Sequence, residues 1–209
     1  MSLTSTSHPV IPLSLLEAIR NLDTPLDDGL NELAGETVAK RLGLSSTVAQ
    51  QIDRYREDAG RNLPIETEEA VSIFRLVGRR PDAALVFADA GRRAARYVAR
   101  ARGRMVQLLV RASPRGMRRR LGDRSARRAA RRHLGLELDL DHGSPELRLA
   151  ETLATRAGYP GSGCYFYSAV IAELLRLASG FEGAMIHERC RARGDEVCVW
   201  RGALPEGYE

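Results

Sequence analysis

Three cysteines and one histidine within the last forty-six residues of this 209-residue chain have the types and the order to hold a metal ion. They run Cys164-x25-Cys190-x7-Cys198, with His187 three residues before the middle cysteine. Thiolate and imidazole suit Zn²⁺, and four such donors would close a structural tetrahedron with no position left open for catalysis. The plainer reading makes Cys164 and Cys198 small core residues and His187 a surface strand residue. Spacing leaves both readings standing, because the set holds no tight CxxC pair. Glu188 and Asp195 are alternatives to His187 as the fourth donor, since a carboxylate oxygen also ligates zinc.

The elements that must position these residues are a helix and a hairpin. CYFYSAVIAELLRLASG, starting at Cys164, is apolar on most sides and closed by Gly180. FEGAMIHERC and EVCVWRG then read as two antiparallel strands, with Arg193-Gly194-Asp195 supplying the turn chemistry. Ahead of them, LGLELDLD alternates Leu134, Leu136, Leu138 and Leu140 at period two, as a strand from 134 to 141 requires. In SPELRLAETLATRAG, Ser144 caps, Pro145 takes the first helical position and Gly158 follows the end, with a strand through Leu147 and Leu149 as the alternative.

Residues 1–12 read as a frayed tail, because Ser, Thr, His and Pro precede the first apolar run at Leu13, Leu15, Leu16 and Ile19. GETVAKRLGLSSTVAQQIDRYRED reads as two helices joined by a tight turn, with Gly43 as a stop and Ser45 or Ser46 as a cap. Helical spacing returns at Ala70, Ile73, Phe74 and Val77, and Gly78 is the stop. A long alanine- and arginine-rich helix follows Pro81, continuing through Val106, Leu109 and Val110 until Pro114 and Gly116 break it; another helix carries Leu121 and Ala129. The expected fold is α+β: a tail over 1–12, a helical part over 13–132, and an α+β part over 133–209 with the metal-binding hairpin, the last two forming one domain.

A hydrophobic content of 44% is enough for one real core. No run of eighteen uncharged apolar residues occurs, and the first twenty residues lack a secretory signal, so a cytoplasmic protein without a membrane span and with reduced thiols is expected. The net charge of +5 hides sixteen arginines against one acid, Asp123, between Arg92 and Arg132. Such a block reads first as a solvated surface, then as a docking surface for an anionic partner.

HERCRARGDEVCVW resembles the closing signature of 4-vinyl reductase domains: an acidic or histidine residue three before a cysteine, a Gly-Asp turn, and a last cysteine leading into an aromatic-bearing strand. Cys164 fits the earlier cysteine that heads the preceding helix in that family. The resemblance implies zinc held by Cys164, Cys190, Cys198 and, where the phenol- and toluene-sensing members commonly have glutamate, His187. It also implies a small-molecule-binding fold like that of haem-NO-binding domains, and a homodimer. Upstream, AGRRAARYVARARGRMVQLLVRASPRGMRRRL looks like the helical region of the bacteriochlorophyll 4-vinyl reductase branch. That branch implies a divinyl tetrapyrrole ligand, presented to separate bacteriochlorophyll-synthesis enzymes for 8-vinyl reduction.

No catalytic residue is assigned from the sequence. Gly-x-Gly-x-x-Gly after a strand is absent, GYPGSG at 158–163 lacks that context and reads as a flexible connector, and three cysteines cannot carry a four-cysteine iron–sulfur cluster. His8, His133 and His142 have no nucleophile elbow near them. Tyr159, Tyr165, Phe166 and Tyr167 concentrate aromatic surface at the helix start, for core packing or for stacking on a flat ligand. TVAKRLGLSSTVAQQIDRY has the rhythm of a DNA-binding helix-turn-helix, but its second helix offers Gln50, Gln51 and Arg54 with little positive charge. An effector-sensing protein acting through a partner is the other alternative.

Overall fold

The computed structural model describes residues 5–24, 42–101, 115–140 and 144–204. Among these are seven α-helices: α1 (Val10–Asp23), α2 (Ser46–Arg61), α3 (Thr67–Gly78), α4 (Ala83–Arg100), α5 (Arg115–Leu134), α6 (Leu153–Ala157) and α7 (Cys164–Ser179). Six strands accompany them: β1 (Thr6–Ser7), β2 (Ile65–Glu66), β3 (Leu138–Asp139), β4 (Glu146–Leu149), β5 (Ala184–Arg189) and β6 (Cys198–Ala203). β1 and β2 form a two-stranded antiparallel pair, and the other four form an antiparallel sheet in the order β3-β4-β6-β5. The class is α+β. None of the described helices is long and apolar enough to cross a membrane.

Helix α7 is the centre of the molecule. It packs against α4 and α5 on one side and the sheet on the other, which is why its sequence is apolar nearly all round. The crossing with α4 is close because Gly91 lies between Ala90 and Ala94, with the backbone of Phe166 and Val170 directly above it. Gly122 of α5 makes a similar approach to the backbone at Ala178 and Ser179. Glu173, buried on α7, answers Arg96 of α4 at 3.0 Å and Arg176 at 2.7 Å.

Three expectations are corrected. Residues 5–12 are not a tail: Thr6 and Ser7 pair with Glu66 and Ile65, and α1 starts at Val10 with Val10, Ile11 and Pro12 buried. The strand expected from 134 shrinks to Leu138–Asp139, because Leu134 closes α5. Gly135 takes φ 65°, a left-handed turn that ends the helix, and the Leu136 N–H donates back to Ala130 O at 3.2 Å. The helix expected from Ser144 is instead β4, with Leu147 opposite Trp200 and Leu149 opposite Cys198 on the buried face. Helix α6 starts only at Leu153, where Thr152 and Thr155 form a capping box. Residues 35–41 and 102–114, on which parts of two expected helices fall, lie outside the described residues.

Asp23 closes α1 and is 5% exposed. Its carboxylate accepts the Gly43 N–H at 2.9 Å and the Arg80 guanidinium at 2.7 and 3.1 Å, while Arg80 also donates to Asp82. Burial pushes the Asp23 carboxyl up, but Arg80 and the Gly43 N–H together hold it below its ordinary 3.8. Arg80 holds Asp82 below the same value. A carboxyl with a depressed folded-state pKa stabilises the fold above its unfolded value and loses that contribution as pH falls through the folded one. The urea midpoint should therefore be nearly flat between pH 7 and about 5 and decline below about pH 4, and Asp23→Asn should flatten part of that decline at a cost of about 2 kcal/mol at neutral pH.

Candidate metal centre

Cys164 is the first residue of α7, His187 lies in β5, Cys190 follows that strand, and Cys198 opens β6. One donor atom from each lies within 4.8 Å of every other, with the three cysteines buried and His187 half-buried. Sulfurs at the corners of a zinc tetrahedron with bonds of about 2.3 Å are about 3.8 Å apart, so a small contraction brings the set to coordinating distance.

Positions 187 and 190 are three apart, and a regular strand would send them to opposite faces. β5 avoids this with a bulge. His187 pairs with Trp200 and Arg189 with Val199, leaving Glu188 as the extra residue that resets the alternation and returns Cys190 to the inner side. Cys198 and Trp200, two apart in β6, share that face. The His187 ring stacks on Trp200 at 4.6 Å with the planes 9° apart.

After Cys190 the chain makes a 3₁₀ turn through Arg191–Arg193 and reverses at Gly194, φ 92°. The Cys190 carbonyl accepts the N–H groups of Arg193 at 2.8 Å and Asp195 at 3.4 Å, and the Asp195 carboxylate accepts the Cys190 N–H at 2.7 Å. Asp195 therefore holds the turn, and Glu188 is ion-paired to Arg201 at 3.2 Å. His187 is the fourth donor of the cluster. Its Nε2 is buried without a hydrogen-bond partner among the described residues. An orphaned buried nitrogen costs about 1–3 kcal/mol.

The electrostatics point the same way. The Cys164 thiol hydrogen-bonds to Cys198, which, with His187 and the Arg191 backbone N–H also helping, draws Cys198 down to about 4 against its burial. The same contact, reinforced by burial, pushes Cys164 up. Two adjacent buried thiols thus share one proton, and a bound cation is what would let both ionise together. A divalent ion with three thiolates and a neutral imidazole leaves one net negative charge at the N-terminus of α7, where the helix dipole favours it. Three sulfurs and one nitrogen suit a thiophilic ion.

Asp195 is not one of the four clustered donors, yet it fixes the turn that presents Cys190. Asp195→Ala should weaken metal binding by about 10- to 100-fold, read by competition with a chromophoric chelator. Trp200, the only tryptophan, stacks on His187, so its emission gives a second readout. Unchanged affinity would show that the turn needs no side-chain support.

The GYPGSG segment is a hydrogen-bonded turn. Gly158 and Gly161 have φ 82° and 99°, the Gly163 N–H donates to Tyr159 O, and the Cys164 N–H to Gly161 O. These amides are used internally, which removes them as a phosphate cradle and fixes the start of α7 instead. Tyr159 lies against Gly78, Tyr165 is exposed, and Phe166 and Tyr167 are buried. Phe87, Phe74, Phe166, Tyr167 and Trp200 form a chain of rings with neighbouring centroids 5.0 to 5.5 Å apart, ending on the His187 stack.

Phe166 and Tyr167 also line a cavity of about 460 Å³. His8 of the N-terminal segment and His133 of α5 meet at its rim, Nε2 to Nδ1 3.1 Å, across 125 residues of chain. Nothing local in the sequence marks that pair; His142 lies outside the described residues. The arginines of α2 are engaged within the fold: Arg54 with Glu69 and over the Tyr55 ring, Arg56 with Glu17 and Asp53. That helix buries Val48, Ile52 and Tyr55. On α5, Arg119, Arg120, Arg124, Arg128, Arg131 and Arg132 are exposed.

Comparison with protein-family models, with curated proteins and with solved structures gave no match.

Proposed function

We propose that this chain is a zinc-containing small-molecule-binding protein of the 4-vinyl reductase type, in which the ion pins the hairpin to the first turn of α7 and so shapes the wall of a ligand cavity. The observation that carries this reading is the convergence of Cys164, His187, Cys190 and Cys198 from three separate segments. Three thiolates and an imidazole suit zinc, and no fifth position is needed. Residues two and three places along the same helix from Cys164 face the cavity, which ties the metal to ligand binding.

The pigment reading follows from the resemblance in the tail motif and the arginine-rich helices: the protein binds a divinyl tetrapyrrole and presents it to separate enzymes for 8-vinyl reduction in bacteriochlorophyll synthesis. A second reading, a sensor of a smaller aromatic effector that signals through a partner, is favoured by the cavity volume of about 460 Å³, in the lower half of the range for small-molecule sites.

Metal analysis of the purified full chain with ligand difference spectra tests both. One zinc per chain and a red-shifted absorption band on adding divinyl protochlorophyllide support the pigment role; one zinc with a response to phenols only supports the sensor. Absence of any bound metal after purification in zinc-replete medium would overturn the zinc assignment. Reduction of the vinyl group by the protein with NADPH alone would overturn the presenting role.

A further inference from the structure

The cavity has a defined chemical polarity. Its floor is apolar, built by Leu136, Leu149, Leu153 and Phe166, and its rim carries His8, Asn62, Arg132 and His133 on one side. Glu137 and Glu151 also reach the rim, and Glu137 is answered by Arg131 at 3.9 Å. Arg132 is exposed and has no carboxylate partner among the described residues.

The hydrogen bonds fix the protonation of the histidine pair. The Val10 N–H donates to His8 Nδ1 at 3.1 Å, so the His8 proton sits on Nε2, which faces Asn62 Oδ1 at 3.3 Å and His133 Nδ1 at 3.1 Å. His133 Nδ1 accepts that bond. Burial pushes His8 below its ordinary value and the Arg132 charge adds to this, against the Asn62 hydrogen bond. At neutral pH the His8 imidazole is therefore uncharged beside the Arg132 guanidinium, a setting that welcomes an anion and repels a cation.

We propose that this cavity is the binding site for an amphipathic organic carboxylate, with the apolar body on Leu136, Leu149, Leu153 and Phe166 and the carboxylate on Arg132 beside His8 and His133. The proposal deepens the small-molecule-binding reading above and names the site and the class of ligand. A guanidinium meets a carboxylate through two parallel N–H donors, which sets the head's orientation as well as its charge. A neutral molecule of the same shape gains the floor contacts and forgoes the rim.

The test uses 2-naphthoate and its neutral counterpart 2-naphthalenemethanol, titrated calorimetrically into the metal-replete full chain. The carboxylate should bind about tenfold or more tightly than the alcohol, and Arg132→Ala should abolish that preference while leaving the alcohol's affinity unchanged. Arg132 is exposed, so the variant should keep its melting temperature. His133→Phe, which keeps a flat ring but removes the donors, should lose part of the preference. Equal affinity for the two probes, a preference that survives in Arg132→Ala, or no heat from either probe overturns the proposal. A chain that shows the preference but carries no zinc keeps this site and removes the zinc reading; a chain with one zinc and no preference does the reverse.

Discussion

Cys190→Ala is expected to lose the bound ion from nearly every chain and to melt roughly 10 to 15 °C below the parent. The reasoning starts from what each reading of the cysteine costs. As a small core residue, Cys190, 3% exposed, would be replaced by alanine at about 1 kcal/mol, which for a domain of this size is roughly 2–4 °C. As a metal ligand it belongs to a set whose binding free energy reaches about 10–16 kcal/mol in small zinc peptides, part of which is folding free energy here. Removing one donor leaves two thiols and an imidazole buried with no ion strong enough to order them. A chelator added to the parent should reproduce the drop, and the variant should be insensitive to it. A melting temperature within about 4 °C of the parent, together with full metal content, would return Cys190 to the core.

Gly91→Val is the second large effect, about 3 kcal/mol or more of destabilisation. A Cβ at this position would stand 2.5 Å from the Phe166 carbonyl oxygen, 2.8 Å from Ala169 Cβ and 2.9 Å from the Val170 nitrogen. Two of these three are backbone atoms of the central helix, so no rotamer change relieves the clash and α4 must move off α7. Phe166 is only two residues beyond Cys164, so the displacement reaches the first turn that carries a donor. Chains that remain folded at low temperature should therefore bind metal more weakly than the parent, read by chelator competition. Gly60→Ala is the internal comparison: it sits in α2 with nothing within 4 Å of its Cβ, and should stabilise by about 0.5–1 kcal/mol. Equal effects of the two substitutions would mean that helix propensity, and not the α4–α7 approach, sets the outcome.

The helix at Cys164 and the hairpin after it are visible in the sequence because their ends are chemical. Gly180 and Gly194 adopt the left-handed backbone that L-residues avoid, and the apolar residues between them have no competing period. The donor types are equally legible, but their convergence is not. It depends on a bulge at Glu188, and no residue type announces an extra position in a strand. β4 was obscured by Ser144 and Pro145, a good helix start in isolation, because Leu147 and Leu149 are claimed by Trp200 and Cys198 across the sheet, a tertiary demand that overrides local preference. Leu134 belonged with α5 and not with the alternating leucines, since Gly135 can end a helix as readily as it can sit in a loop. The His8–His133 contact joins residues 125 apart, and two isolated histidines in polar surroundings carry no period to betray it.

The order of the donors along the chain has a consequence for biogenesis. Cys164 is synthesised thirty-four residues before Cys198, and α1, α3 and α4 precede both. Helices α1 to α4 leave the ribosome ahead of α7 and the hairpin, and the donor set is complete only once β6 has emerged and paired with β4. Ion capture would therefore be the last clasp fastened on a nascent chain, and a chain truncated before Cys198 would lack β6, the strand that joins the hairpin to β4.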